Sequence, residues 1–157
     1  MISKIRLLSL IFLSFFIVAC GFQLRGSIDL DFKSIQINGG SSGLNKFLVK
    51  KFKQNGIVIE TKNPERTLEI LDDHLDKRIL SLSRSGSVKE YELIYRVSYR
   101  FKIQNNEWSD KINKDVTRDY TYDDNNRVAK ELEEKNLVQG MMDEIVRSMV
   151  SQISVSN

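Results

Sequence analysis

From Glu90 to Ile103, apolar and polar side chains alternate almost without a break. Tyr91, Leu93, Tyr95, Val97, Tyr99, Phe101 and Ile103 take one face, and Glu90, Glu92, Ile94, Arg96, Ser98, Arg100 and Lys102 take the other. A period of two belongs to a β-strand with one face on a core and the other in water. Strands average roughly 5–6 residues, so a strand of this length is unusual. It commits the chain to a sheet with one dry face, and the remaining elements must cover that face.

The flanking segments supply them. Arg66 to Ser83 reads as a second long strand, with Leu68 and Ile70 alternating early and Leu80 and Leu82 late. Its middle, Asp72 to Arg78, is polar enough to predict a bulge or a sheet edge. Ser83-Arg84-Ser85-Gly86 is a turn between the two long strands. Gln104-Asn105-Asn106-Glu107 turns the chain into a third strand, Trp108 to Tyr122. Upstream, Phe32 to Asn38 alternates weakly through Ile35 and Ile37 and ends in Gly39-Gly40-Ser41-Ser42-Gly43, which lacks the Gly-Lys-Ser/Thr of a phosphate-binding loop. Leu44, Phe47, Leu48 and Phe52 then recur at helical spacing, with Ser41 or Ser42 as N-cap and Gly56 past the end. Ile57 to Ile59 leads to a turn at Lys62-Asn63-Pro64. A second helix is predicted from about Asn126 to Ile153, capped by Asp124 or Asn125. Its stripe is Val138, Met141, Met142, Ile145, Met149 and Ile153, interrupted by Gly140 at a cost of about 1 kcal/mol relative to Ala. The expected fold is α+β, with two helices packed on one face of a four-stranded mixed sheet in the order β-α-β-β-β-α.

The N-terminus carries a different kind of signal. Lys4 and Arg6 precede an apolar run, Leu7 to Ala19, that ends in Ile17-Val18-Ala19-Cys20-Gly21. A basic start, a short apolar segment and a small residue at the cut describe a secretory leader. The run is too short to span a bilayer, which takes about 20 residues. A cysteine just after the cut can take a thioether-linked diacylglycerol, and its freed amine a third acyl chain. At about 0.8 kcal/mol per buried CH₂, two or three chains anchor a protein stably. The expected organisation is a lipoprotein signal peptide at 1–19, a lipidated tether at 20–31 starting from Cys20, and a single α+β domain at 32–157. Gly21 follows Cys20 where an Asp would retain a lipoprotein in the inner membrane, so outer-membrane localisation is expected.

Composition narrows the function. The net charge is +3, and Lys4 and Arg6 of the leader contribute two of it, so the mature chain is near balance and bulk charge does not favour nucleic acid. Cys20 is the only cysteine, which leaves the folded part without a disulfide or a reactive thiol. His74 is the only histidine and lacks the several close ligands of a zinc site. Asp72, Asp73 and Asp76 lack the pattern of a calcium hand. Glu133 and Glu134 read as surface charge on one helix, not an acid–base pair. With no nucleophile–base arrangement, a lipid-anchored hydrolase is disfavoured. No cofactor and no metal are expected. Tyr91, Tyr95 and Tyr99 share a face with Leu93 and Val97 and belong to the core, as do Met141, Met142 and Met149.

Cys20-Gly21-Phe22-Gln23-Leu24-Arg25-Gly26 resembles the mature start of the LptE family of lipopolysaccharide-assembly lipoproteins, formerly rare lipoprotein B. Ser81-Leu82-Ser83-Arg84-Ser85-Gly86 followed by Glu90-Tyr91-Glu92-Leu93 is similar to that family's turn and third strand. Val116-Thr117-Arg118 to Tyr120, then Ala129-Lys130, is similar to its last strand and helix. The resemblance implies a non-enzymatic outer-membrane lipoprotein that plugs and helps assemble the LptD β-barrel and binds lipopolysaccharide. It also implies that Arg84 and Lys130 are lipopolysaccharide-binding cations, because guanidinium and ammonium groups suit phosphate. An accessory role for another outer-membrane assembly machine is the alternative. Arg96, Arg100 and Lys102 share the polar strand face and either meet an acidic partner or form a wet surface. Phe22 and Leu24 dip into the headgroup region, pack on a partner, or belong to a plain tether.

Overall fold

The protein is described by a computed structural model covering residues 30–155. The expected leader, the lipidation residue Cys20 and the tether up to residue 29 lie outside the described residues. The elements run β1 (Ser34–Gly39), α1 (Ser42–Gln54), β2 (Val58–Ile59), β3 (Arg66–Leu82), β4 (Val88–Ile103), β5 (Ile112–Thr121), a 3-10 turn (Asp124–Asn126) and α2 (Arg127–Val155). The expected α+β architecture is present, with a sheet of five strands in the order β2-β1-β3-β4-β5 in place of four. The added strand, β2, is two residues long and pairs parallel with β1. It is held by Val58 N donating to Lys33 O at 2.9 Å and Glu60 N donating to Ile35 O at 2.9 Å. Two residues carry no periodicity, so the sequence reads there as a lead into a turn.

β1 is parallel to β3, and β3, β4 and β5 form an antiparallel meander. The alternation in β4 is realised as expected. Leu93, Tyr95, Val97, Tyr99 and Phe101 are buried with Ile35, Leu68 and Ile70 of the neighbouring strands. Leu44, Leu48 and Phe52 of α1 close one half of that layer, and Met141, Ile145, Met149 and Ile153 of α2 close the other. Burying such a side chain is worth about 1.5–3 kcal/mol, and the shared layer makes sheet and helices one unit. Val138 and Met142 of the expected stripe are partly buried and pack at its margin.

Each helix start is fixed by a side chain. Ser41 caps α1, its Oγ accepting from Leu44 N at 3.3 Å. Asp73 fastens that cap to the sheet by accepting from Ser41 N at 2.8 Å, from Ser41 Oγ at 2.6 Å and from the Tyr95 hydroxyl at 2.9 Å. Asp123, one residue before the expected cap, accepts from Asn125 N at 3.0 Å and starts the 3-10 turn that leads into α2. Gly39 is obligatory at the end of β1. Its φ is +71°, and a Cβ there would lie 2.2 Å from the carbonyl oxygen of Ile70.

β1 reaches only to the level of Ile70. From Asp72 onward β3 is therefore a sheet edge, one of the two expected readings of its polar middle. Register shifts flank that stretch, between Ile70 and Asp72 and again between Ile79 and Leu82. The molecule thus has a broad base, where β2, β1, β3 and β4 lie under α1, and a narrower upper half of β3, β4 and β5 under the first turns of α2. At the base the expected tether ends against the domain, with Leu30 on the core and Asp31 paired to the buried Arg66 at 3.0 Å.

Candidate functional site

The upper half ends in the turn that joins β3 to β4. Ser83 N donates to Ser87 O at 2.8 Å and Gly86 N to Ser83 O at 3.0 Å, with Gly86 at φ +84°. Ser87 N also donates to Ser83 Oγ at 3.2 Å. Small residues bonded to one another leave Arg84 exposed at the apex, and it makes no hydrogen bond or ion pair among the described residues. It contrasts with Arg78 one strand-length below, which is paired to Glu92. An unpaired guanidinium on a closed turn is presented for bidentate contact with an anion.

Lys130, the other expected binding cation, lies on the second turn of α2, at the same end of the molecule. Its Nζ is 2.8 Å from Glu133 Oε2, and its side chain is only 21% exposed. Its charge also helps hold Asp123 below the ordinary carboxylate range, after the hydrogen bonds from Asn125 and Asn126 that dominate that shift. The structure thus brings Arg84 and Lys130 to one end but places no contact between them, and Lys130 already has acidic neighbours where Arg84 has none.

Below the turn lies a cluster that the sequence does not advertise. The rings of Tyr91 and Tyr120 stack at 5.8 Å, and Tyr122 meets Tyr91 edge-on at 5.2 Å. Lys77 Nζ lies 4.2 Å from the centre of the Tyr91 ring and 2.6 Å from Glu134 Oε2. The Tyr120 hydroxyl donates to the same oxygen at 2.6 Å. Glu134 is therefore not the surface charge expected of it. It turns inward to join the helix to two strands, while Glu133 stays with Lys130 at the surface. Burial pushes the Glu134 carboxyl up, but the bonds from Lys77 and Tyr120 and the Lys77 charge outweigh burial and hold it below the ordinary range. Tyr120 is pushed up to about 12, by burial first and by its bond to Glu134 second. Lys77 is lifted above the ordinary ammonium value: burial opposes the shift, and the Glu134 and Tyr120 bonds overcome it. A helical Glu, a strand Lys and a strand Tyr far apart in sequence leave no spacing signal by which they could be found.

The open face of the sheet is largely self-neutralising. Arg96 pairs with Asp76, and Arg100 with Glu69 at 2.5 Å. His74 lies between Asp72 at 3.1 Å and Asp76 at 3.7 Å. Among the described residues, no group of three or more His, Cys, Asp or Glu is placed to hold a metal ion. Arg96 and Arg100 are thus committed to partners within the sheet. Lys102 is not: it sits over the Trp108 ring at 5.1 Å and forms no ion pair among the described residues.

Much of the upper edge remains apolar and uncovered. Leu75 is 39%, Ile79 54% and Leu82 56% exposed along β3, and Val128 and Leu132 of α2 are exposed more still. β3 also offers the unpaired backbone groups of an edge strand from Asp72 onward, a feature that soluble proteins usually blunt.

A family model described as LptE, lipopolysaccharide-assembly, matches residues 32–153. A comparison with curated proteins finds no match. Among solved structures, the chain is similar to uncharacterized lipoprotein B from Nitrosomonas europaea, at 30% identity over 85% of this chain and 90% of that one, with a TM-score of 0.69. It is similar to rare lipoprotein B from Shewanella oneidensis at 26% identity, covering 76% of this chain and 96% of that one, with a TM-score of 0.63. A minor lipoprotein from Acinetobacter baumannii shares the fold, at 19% identity over 80% of this chain and 93% of that one, with a TM-score of 0.65.

Proposed function

The chain belongs to the LptE lipopolysaccharide-assembly family, and from that membership we propose that it is a non-enzymatic outer-membrane lipoprotein. On this reading residues 1–19 are removed and Cys20 carries the acyl chains. The tether 20–31 then leads to the single domain 32–157. The domain occupies the lumen of an LptD-type β-barrel, helps that barrel assemble and binds lipopolysaccharide for delivery to the cell surface. Arg84 is the leading phosphate contact, and Lys130 is a supporting one once it exchanges Glu133 for the ligand.

One observation carries the reading: a closed, small-residue turn that presents an unpaired arginine at the end of a long, partly apolar edge. A barrel wall would cover the β3 edge with its exposed Leu75, Ile79 and Leu82, and a hydrated lumen suits the charged open face of the sheet, because barrel interiors are polar. Lipopolysaccharide phosphates suit Arg84, whose guanidinium is not spent within the protein.

Two measurements test this. Arg84→Asp is expected to weaken lipopolysaccharide binding at least tenfold with an unchanged circular dichroism spectrum, and Lys130→Asp to do so less. Unaltered binding by the Arg84 variant removes that residue from the site. Affinity purification of the acylated protein is expected to bring down a large β-barrel in equimolar amount, and recovery of the protein alone overturns the plug role.

A further inference from the structure

The corner where β3 begins and β4 ends departs from the rest of the open face. There the turn before Arg66 and the turn after Ile103 are tied by Gln104 N donating to Glu65 O at 2.9 Å. Between them lies a cavity of about 340 Å³, lined by Gln36, Asn63, Thr67, Lys102, Gln104 and Asn105, with Pro64 at the rim. Elsewhere on this face the arginines are spent on carboxylates, Arg78 on Glu92, Arg96 on Asp76 and Arg100 on Glu69. The exposed side chains of Asn63, Gln104 and Asn105 and the hydroxyl of Thr67 make no hydrogen bond among the described residues and are open to a ligand. Gln36 uses its amide nitrogen on Asn38 at 3.0 Å and keeps its carbonyl oxygen uncommitted. Lys102 faces the same space with no carboxylate partner, its ammonium steadied over Trp108. Asn63 at φ 52° and Gln104 at φ 46° are the two non-glycine residues in the left-handed region among those described, and both line this cavity. Left-handed backbone held at a concave, polar spot is a known companion of ligand contact.

Amide side chains each supply donors and an acceptor, and a hydroxyl supplies both. Several of them around one concavity match a ligand with neighbouring hydroxyls, and a single ammonium adds a preference for one negative charge. We propose that this pocket binds an anionic saccharide, a sugar bearing a carboxylate or a phosphate. Two envelope sources share that chemistry: the saccharide part of lipopolysaccharide and the acidic amino-sugar glycan of the cell wall. Only the first rests on the function proposed above. At roughly 3.4 Å per residue along β4, the pocket is about 50 Å from Arg84, so it is a separate site from the phosphate contact at the turn.

The test uses the full-length mature protein with isotope-labelled side-chain amides and two probes, deacylated lipopolysaccharide and muramidase-released glycan fragments. Binding by either is expected to shift the amide signals of Asn63, Gln104 and Asn105. The exposed substitution Asn105→Ala is expected to weaken it at least fivefold, and Lys102→Gln at least fivefold for acidic but not neutral fragments. Response to the first probe assigns lipopolysaccharide as the source, and response to the second alone assigns the wall. The pocket amides report this site alone, and the Arg84→Asp affinity reports the turn, so failure at the turn and failure here are read separately. If neither probe moves these amides at millimolar concentration, or if Asn105→Ala and Lys102→Gln bind as the parent does, the pocket is not a saccharide site.

Discussion

The Glu134 carboxylate accepts from Lys77 and from Tyr120, and among the described residues it ties the first turns of α2 to the sheet beneath. Because its folded-state value is depressed, its contribution is present above the ordinary carboxylate value of 4.5 and is lost as pH falls through the lower folded value. Lys77 is raised, so its share is complete below 10.5 and is lost only as pH rises through its folded value, outside the acid window. Thermal stability is therefore expected to fall on acidification below about pH 4.5. Glu134→Gln should be less stable than the parent near neutral pH by about 1 kcal/mol and should lose less than the parent on acidification. Parallel melting profiles for the two proteins from neutral pH down to about pH 3 would assign acid sensitivity to other groups. Gln104 poses the opposite balance. A left-handed non-glycine residue costs about 1–2 kcal/mol, so Gln104→Gly is expected to be neutral or up to about 1 kcal/mol stabilising in denaturant melts, while weakening the pocket it lines.

α2 is continuous in hydrogen bonding but divided in packing. From Arg127 to Asn136 no residue is buried, whereas Met141, Ile145, Met149 and Ile153 are at most 1% exposed. Tertiary packing, more than propensity, stabilises helices in proteins. Amides of the first half are therefore expected to exchange with solvent well before those of the second, and Glu134→Ala to widen that gap. Met149→Ala is expected to cost about 2–5 kcal/mol in global stability, and uniform exchange along the helix would contradict this division. The division also marks what a sequence can disclose. β4 and α1 are legible because each writes its own buried face as a period, and the α2 stripe is legible for the same reason. β5 begins at Ile112, not Trp108: the Ser109 hydroxyl accepts from Phe101 N at 3.1 Å, while Trp108 is drawn to Arg100, at 4.5 Å, and to Lys102. Those are side-chain contacts across strands and have no local pattern. The same holds for β2, for the Asp73 brace on Ser41 and for the Lys77–Glu134–Tyr120 cluster. Arg84 and Lys130 were legible as cations on a turn and a helix start, but their difference in pairing depends on neighbours that only the fold supplies.

At the scale of the molecule, the proposed function gives the two ends separate tasks. The described chain enters at the base, where Leu30 and Asp31 dock, and the tether expected to carry the lipid extends from there. From the level of Ile70, β3 rises twelve residues to Leu82, about 40 Å at 3.3 Å per residue, before the turn that holds Arg84. A bilayer's hydrocarbon core is about 30 Å thick, and the bacterial outer membrane is thinner than average. If the lipid sits in the periplasmic leaflet and the domain in the barrel lumen proposed above, the base stays on the periplasmic side while Arg84 reaches the level of the outer leaflet. A protein held this way spans the membrane's thickness without crossing it, and no helix among the described residues is long and apolar enough to cross. Ser85→Cys, placed on the turn, is therefore expected to crosslink to the cell-surface half of the barrel, and Asn105→Cys, at the base, to its periplasmic rim. Crosslinking of both cysteines to the periplasmic rim would mean that the long edge lies outside the lumen, and Arg84 would then meet its anion before the barrel, not within it.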